Sequence, residues 1–505
     1  MYDFLERLKI RQIIYTDDEV LPFSRKYISN LLKEIELKYN LLNEIEKAEL
    51  QWYKKEFAYE LGLPDDQKRW HLYSYSDSLF TTAFSPIISY GISANGDKSG
   101  HTRWWGASLY ASYSNWFGMH VSARDKGEYG SNVDRDKSFS PVTGASIKGA
   151  PNGIEFTDVT GSINFNWSWG SISLIKDYFQ WGHGNFGQLI FSQKAPSFPR
   201  IQLLLKPTED IRFSYIHGFL NSLVPDSSEF YYSYPDALSP RLREGYINKY
   251  IAANLFTFNL FDLADLSLGN SIVYTGDIRP EFFIPFMFFK FLDHNTGRLD
   301  IEDGNGQLFV DAALNYPAGY RFYTTFFLDV TEIRNILEGD YKNTWYGITA
   351  GIKKTDLLIS NLDFTTEYTR ISPWVYEHKD EAATYKHINY YLGHWIGQNA
   401  DQFRVQFDYR FIRPLHLSVY FEIVRKGGLL DTYYAYEAMT ALPFLYPPLR
   451  RDYRTGLSAS YEALHDLFIR AEYNYSDIED EKSDRTLSFL TGAKHNFSLN
   501  FFYGL

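Results

Sequence analysis

Residues 401–424 read as two strands joined at a proline, and few folds accept such a pair. Before Pro414, Phe403, Val405, Phe407, Tyr409 and Phe411 share one parity, while Arg404, Gln406, Asp408 and Arg410 share the other. After it, Leu415, Leu417, Val419, Phe421 and Ile423 alternate with His416, Ser418, Tyr420 and Glu422. A period of two is the mark of a strand. Each run is roughly 10 residues, the length of a tilted strand that crosses a bilayer, where a soluble sandwich strand has about 5–6. A face with two arginines and an aspartate suits a wet lumen better than a dry core.

The same alternation returns along most of the chain. Eighteen such segments run from 79–93 to 485–505, and the last places Phe497, Leu499, Phe501, Tyr503 and Leu505 opposite Asn496, Ser498 and Asn500. Connections alternate between short turns, such as Asn115, Gly170 and Pro317–Gly319, and long stretches at 126–152, 183–198, 220–244, 277–303, 372–399 and 425–450. Short turns on one side, long loops on the other and an even strand number describe an outer-membrane barrel. No stretch is apolar for the ~18 residues a membrane helix needs, so a spanning chain must be a barrel. The expected fold is therefore all-β: an 18-stranded antiparallel transmembrane β-barrel over 67–505, with a small N-terminal α-helical domain over 1–66.

That first segment has helical periodicity. Asp3–Ile10 is amphipathic, Ser24 caps a helix with Ile28, Leu31, Leu32 and Ile35 on one face, and Asn43–Leu61 forms a third helix, ended by Gly62 and Pro64. With 18 strands both ends of the barrel fall on the short-turn side, which puts the helices in the periplasm and the long loops outside the cell. No leader pattern opens the chain at Met1, and the sequence reads as a mature form whose leader has been removed.

Aromatic residues make up 18% of the chain, with 41 Tyr, 40 Phe and 11 Trp. Tyr and Trp at this density suit interfacial girdles or a sugar-binding surface. A net charge of −12 argues against a nucleic-acid partner, and the absence of cysteine fits an exported chain without disulfides.

Motifs of chemistry fail on context. Gly182-His-Gly-Asn-Phe-Gly187 matches a dinucleotide fingerprint, but two prolines and no helix follow it. Asp300–Asn305 lacks the offsets of a calcium loop. Neither an H-E-x-x-H pair nor a G-x-S-x-G elbow occurs. The expectation is a non-enzyme with no cofactor and no metal, with an outer-membrane lipase as the enzymatic rival and a porin-like channel for small solutes as the other.

Two stretches at long-loop ends interleave rings with amides, imidazoles and charges: Lys176–Pro199, and Glu367–His378 with Tyr391–Asn399. Ring faces cover the apolar face of a pyranose, and planar polar groups bind its hydroxyls. The plainer reading is that these rings pack the loops into a lid or sit in the outer girdle.

These stretches resemble the signatures of the capsule assembly Wzi family. Lys176-Asp-Tyr-Phe-Gln-Trp-Gly-His-Gly184 followed by Ser192–Pro199 is the most specific part, with His183 where proline is common. Glu367–Tyr376, Leu392–Gly397 and the lead from Asp3 to Lys26 are similar too. The resemblance implies an 18-stranded outer-membrane barrel, a periplasmic helical bundle and a lectin-like role that holds capsular or extracellular polysaccharide at the cell surface, without catalytic residues. Outer-membrane lipid and a polysaccharide export complex are the further partners expected. The candidate sugar contacts are Trp181, His183, Trp374, Tyr376, His378 and Trp395 as ring platforms, with Arg370 and Asn399 as polar partners.

Overall fold

In the computed structural model, which describes residues 1–64, 68–233, 241–296, 304–329, 345–428, 442–482 and 484–504, alternation becomes a closed antiparallel barrel. Its wall begins with β1 (Phe80–Asn95), β2 (Lys98–Tyr113), β3 (Phe117–Gly130), β4 (Gly153–Trp167), β5 (Gly170–Asp177), β6 (Phe198–Leu205), β7 (Ile211–Ser233), β8 (Arg241–Leu260) and β9 (Ala264–Thr275). It continues with β10 (Asn305–Leu314), β11 (Tyr320–Asp329), β12 (Trp345–Lys354), β13 (Leu362–Ile371), β14 (Ala400–Ile412), β15 (Leu415–Lys426), β16 (Arg450–Leu464), β17 (Leu467–Asp480) and β18 (Gly492–Tyr503). The pairing of β18 with β1, from Asn496 against Asn95 to Tyr503 against Ile88, closes the ring. All 18 expected spanning segments are present. Of the calcium-loop candidate at 300–305, residues 300–303 lie outside the described residues.

The faces follow parity. Phe403, Phe407, Val419 and Phe421 point outward and are exposed. Inward, Gln402 hydrogen-bonds Glu422, and Arg404 bridges to Glu422 and Gln406. An apolar exterior around a polar interior is a lipid-facing wall. Among the described residues no helix is long and apolar enough to cross a membrane. Arg at Val405 is therefore expected to cost about 2–4 kcal/mol at mid-depth, and Arg at Gln406 much less. Urea refolding of both variants into lipid vesicles checks this; equal costs would mean the faces are misassigned.

Two departures shape the long-loop end. Within the expected loop at 220–244, residues 220–233 and 241–244 are instead strand: β7 and β8 run on past their neighbours as a two-stranded ribbon, from Asn221 opposite Asn248 to Ser233 opposite Arg241. Pro225, Asp226 and the serines after it look like a turn, but register shifts between Asn221 and Pro225 and between Asp226 and Tyr231 absorb them as bulges. The other departure is β1 to β2, which turn tightly at Gly96 and Asp97; Gly96 takes φ +59°, a conformation that favours glycine.

Helices α1 (Tyr2–Ile10), α2 (Arg25–Leu37), α3 (Glu44–Glu56) and α4 (Ala58–Leu61) close the short-turn end. Ser24 caps α2 by accepting from the Tyr27 amide. Asn43 and Glu46 form a capping box on α3, and Gly62 ends α4 in the left-handed region. Leu8, Leu32, Ile35 and Leu50 form the core of the bundle. Charges tie it to the wall. Arg7 reaches Glu46, Asp356 and Asp363, Lys353 pairs with Glu6, and Arg413 lies over the Trp52 ring at 3.7 Å.

Candidate functional site

The loops that precede β6 and β14 fold into the lumen and interlock there. Phe179, Trp181, Ile190 and Phe191 from one, and Tyr376, Tyr385, Leu392 and Trp395 from the other, share one apolar core with inward residues of the wall such as Ile216, Ile251, Phe309 and Phe327. Hydrogen bonds stitch the two loops together. Tyr376 Oη donates to the Leu189 carbonyl at 2.7 Å, Tyr385 Oη to Ile190 at 2.8 Å and Trp395 Nε1 to Phe186 at 3.2 Å. The Ser192 amide donates to Leu392 at 2.8 Å. Gly393 permits this approach: a Cβ there would lie 2.4 Å from Tyr376 Oη and 2.5 Å from the Leu189 carbonyl.

Carboxylates on the inner wall hold the plug by its backbone. Glu367 accepts from the amides of Asn185 at 2.6 Å and Phe186 at 3.1 Å. Asp329 accepts from the Tyr376 amide at 2.5 Å, and Asp311 from the His183 amide at 3.1 Å. The glycines of 182–187 thus serve a tight loop folded against the wall, and no helix follows them. The connection from 131 to 150 closes over the plug. Lys194 Nζ donates to the Ser140 and Val142 carbonyls at 2.8 Å each, and Tyr390 Oη to Asp136 at 3.0 Å. Burial, with nearby Lys137 adding to it, lowers the Lys194 ammonium to about 8.

The plug also meets the helices. Val20 and Leu21 pair with Trp181 and Gln180, and the Gly182 amide donates to the Glu19 carbonyl at 2.9 Å. Asp18, His183 and Asp265 converge here closely enough to suggest a metal site. Their oxygens are already engaged: Lys9 Nζ lies 2.6 Å from Asp18 and 2.9 Å from Asp265, Arg321 2.6 Å from Asp18, and Arg212 2.8 Å from Asp265. The cluster is a buried ion-pair node.

Burial alone would lower the His183 imidazole, but Asp311 at 2.5 Å and Asp18 at 3.4 Å lift it to about 9 from 6.5. A raised base stabilises fully below the unfolded value and loses that contribution as pH rises through the folded one. The thermal transition of the helical segment is thus expected to fall as pH is raised through about 9, and the step to vanish in His183→Gln. A step that persists in the variant would assign it to another group.

The structure brings seven of the eight candidate residues into this plug and buries them. Trp374 and Trp395 are 3% and 4% exposed, and Trp181 and Tyr376 not at all. His183, His378 and Asn399 are buried as well; Asn399 donates to the Gly428 carbonyl and accepts from the Leu445 amide, both at 2.8 Å. Arg370 stands apart. It takes the outward parity of β13 and lies over the Phe444 ring at 4.0 Å. Sequence reasoning passed over Asp311 and Asp329, whose signal was an acid at an inward position of an apolar strand. It also missed Tyr231 and Tyr232, which stand 63% and 59% exposed on the ribbon.

A family model described as capsule assembly protein Wzi matches residues 106–488. The chain belongs to the capsule assembly Wzi family. Among solved structures it is similar to Wzi of Escherichia coli, described as an outer-membrane protein involved in group 1 capsule assembly and a carbohydrate-binding β-barrel. The two are 11% identical, with all of this chain and 98% of the other covered and a TM-score of 0.58. OprD of Pseudomonas aeruginosa (11% identity, 84% and 95% covered, TM-score 0.43) and OccAB1 of Acinetobacter baumannii (9%, 85% and 99%, 0.47) are more distant barrels. No curated protein matches the chain. The fold is thus that of a Wzi-like outer-membrane barrel.

Proposed function

We propose that this Wzi-family barrel binds and retains capsular or extracellular polysaccharide at the cell surface and does so without catalysis. The observation that carries this reading is the plug. Loops that would line a pore are packed against the inner wall, and the wall carboxylates Glu367 and Asp329 are engaged by plug amides. In this reading residues 1–66 form a periplasmic helical domain, 67–505 the barrel, and the plug, the 131–150 lid and the ribbon face outward. The buried rings of Trp181, Trp374, Tyr376 and Trp395 would form its floor, since sugar can reach them only if the plug opens.

The open surface above the plug has the chemistry a glycan needs. On the ribbon, exposed Tyr231 stands opposite Arg243, and Tyr246 opposite Pro225, with Glu229 and Glu244 exposed nearby. Rings offer stacking and charged groups offer hydrogen bonds to hydroxyls. A repeating polymer engages many such weak contacts at once, so avidity supplies retention. Replacing Tyr231 and Tyr232 together by Ala is expected to shed polymer from cells while the barrel still assembles; full retention would place the contact elsewhere.

A channel is the second reading, favoured by the half-buried polar row of Arg404, Gln406, Asp408, Arg454 and Glu472 along the lumen. Planar-bilayer recording separates the two. The intact protein is expected to pass no steady current and a variant lacking 372–399 to conduct; steady current from the intact protein would favour the channel.

A further inference from the structure

On the wall formed by β6 to β10, polar side chains stand where an outer-membrane barrel should be apolar. Tyr215, His217, Asn254 and Asn270 share the outward parity of Leu203, Phe256 and Leu268. Each is nonetheless buried. What covers them is the connection after β9, which folds back down the outside of the barrel instead of rising from it.

Each polar group on the wall meets this segment or its own neighbours. Asn254 Nδ2 donates to the carbonyls of Pro285 and Met287, both at 2.9 Å. Asn270 Oδ1 accepts from the Phe289 amide at 3.0 Å, and its Nδ2 donates to Asn254 Oδ1 at 2.7 Å. Tyr215 Oη donates to the Phe282 carbonyl at 2.7 Å. The His217 ring stacks on Phe283 at 4.0 Å and bonds Tyr274 Oη at 3.1 Å.

The segment runs deep. It leaves the wall at Gly276, beside Asn248, and reaches Phe213, two residues from the short-turn end of β7, where Phe286 packs at 4.5 Å. From Phe219 to Phe213 that is about 20 Å of strand, or about 15 Å of depth at the usual tilt of a barrel strand, more than half of the apolar band. Arg279 pairs with Glu281 at 2.8 Å and with Asp293 at 2.7 Å, Lys290 donates to the Gly304 carbonyl at 3.0 Å, and Asp277 stands exposed at the end where the segment leaves the wall. The large side chains it turns away from the wall are apolar: Ile284, Phe286 at 57% exposed and Phe291 at 65%.

We propose that residues 276–293 form a strap embedded in the membrane, its outer row in contact with lipid acyl chains and its backbone clasped by Asn254, Asn270 and Tyr215. Irregular backbone is tolerated at membrane depth only where protein satisfies its polar groups, and here outward-facing amides of the wall do so. The outer row of the strap continues the apolar belt on either side, where Leu268 and Val310 on one flank and Ile172 and Leu174 on the other are exposed. The occupant is therefore the hydrocarbon that wets the rest of the wall.

The chain has no cysteine, which makes a clean test possible. Single variants Phe286→Cys and Phe291→Cys would carry a spin label in the full-length barrel, reconstituted in phosphatidylcholine vesicles. Val310→Cys on the wall and Ser228→Cys on the ribbon supply the lipid and water references. Both strap labels are expected to collide with oxygen and not with a nickel chelate, as at 310. Access to the chelate, as at 228, would put the strap in water. Shielding from both reagents would show a second copy or another protein covering it. Either result overturns the proposal. Adding Asn254→Leu and Asn270→Leu to Phe286→Cys is expected to sharpen the label's spectrum through greater mobility, with heat-modifiable migration confirming an assembled barrel; an unchanged spectrum would remove the clasp from the argument.

Discussion

Replacing Trp181 by Ala is expected to cost the plug about 3–5 kcal/mol, the usual range for truncating a buried large aromatic. The ring is fully buried, packs edge-to-face on Phe191 at 5.1 Å and lies against Phe179 and Phe309. Nothing nearby is free to fill the space, because Phe309 belongs to the wall and Phe191 is held in the core that both loops share. The barrel itself has its own ladder of hydrogen bonds and is expected to assemble. The readouts therefore separate: heat-modifiable migration stays, while protease cuts within 183–198 and 372–399 and retention of polymer drops. If polymer is retained on a plug that protease opens, the sugar surface does not depend on the plug.

Arg7→Met is expected to cost about 3–5 kcal/mol, since breaking a buried ion pair strands the remaining charge. Arg7 is 1% exposed and its guanidinium serves three carboxylates, Glu46 at 2.9 Å, Asp356 at 2.5 Å and Asp363. Asp363 would keep Arg410 at 3.6 Å and Glu46 would keep Arg11, so the loss is partial. Hydrogen exchange over residues 1–61 is expected to rise while the strands stay protected. Protection unchanged in the helices would mean that their apolar core holds them folded without Arg7.

The spanning strands could be read from the chain because each carries its own evidence: parity along β14 and β15 names the lipid side without knowledge of any neighbour. The caps at Ser24 and Asn43 are local for the same reason. What could not be read is where the connections go. Phe282 to Phe291 is an aromatic run broken by Pro285, and nothing in it says whether it rises above the barrel or lies on the outer wall. The deciding information sits far away in Asn254 and Asn270, where it looks like a lapse in alternation. The same holds for the aromatic loops. Trp374 and Trp395 among amides have the composition of a sugar site and equally of a packed plug, and only the inward carboxylates Asp329 and Glu367, which take the plug's amides, tell the two apart. The ribbon was masked for a different reason. Pro225 and the serines after Asp226 have turn chemistry, and bulges let two strands run through them.

The two-residue ladder between Val20–Leu21 and Gln180–Trp181 joins segments that enter from opposite mouths of the cylinder. Glu19, next to it, is gripped by Arg212 at 2.7 Å, while Trp181 roots the aromatic stack beneath the lid. The amino-terminal bundle and the long-loop crown are therefore geared rather than merely adjacent. A tug on the bundle from the short-turn end has to unzip this clip, or else drag the crown's foundations along with it.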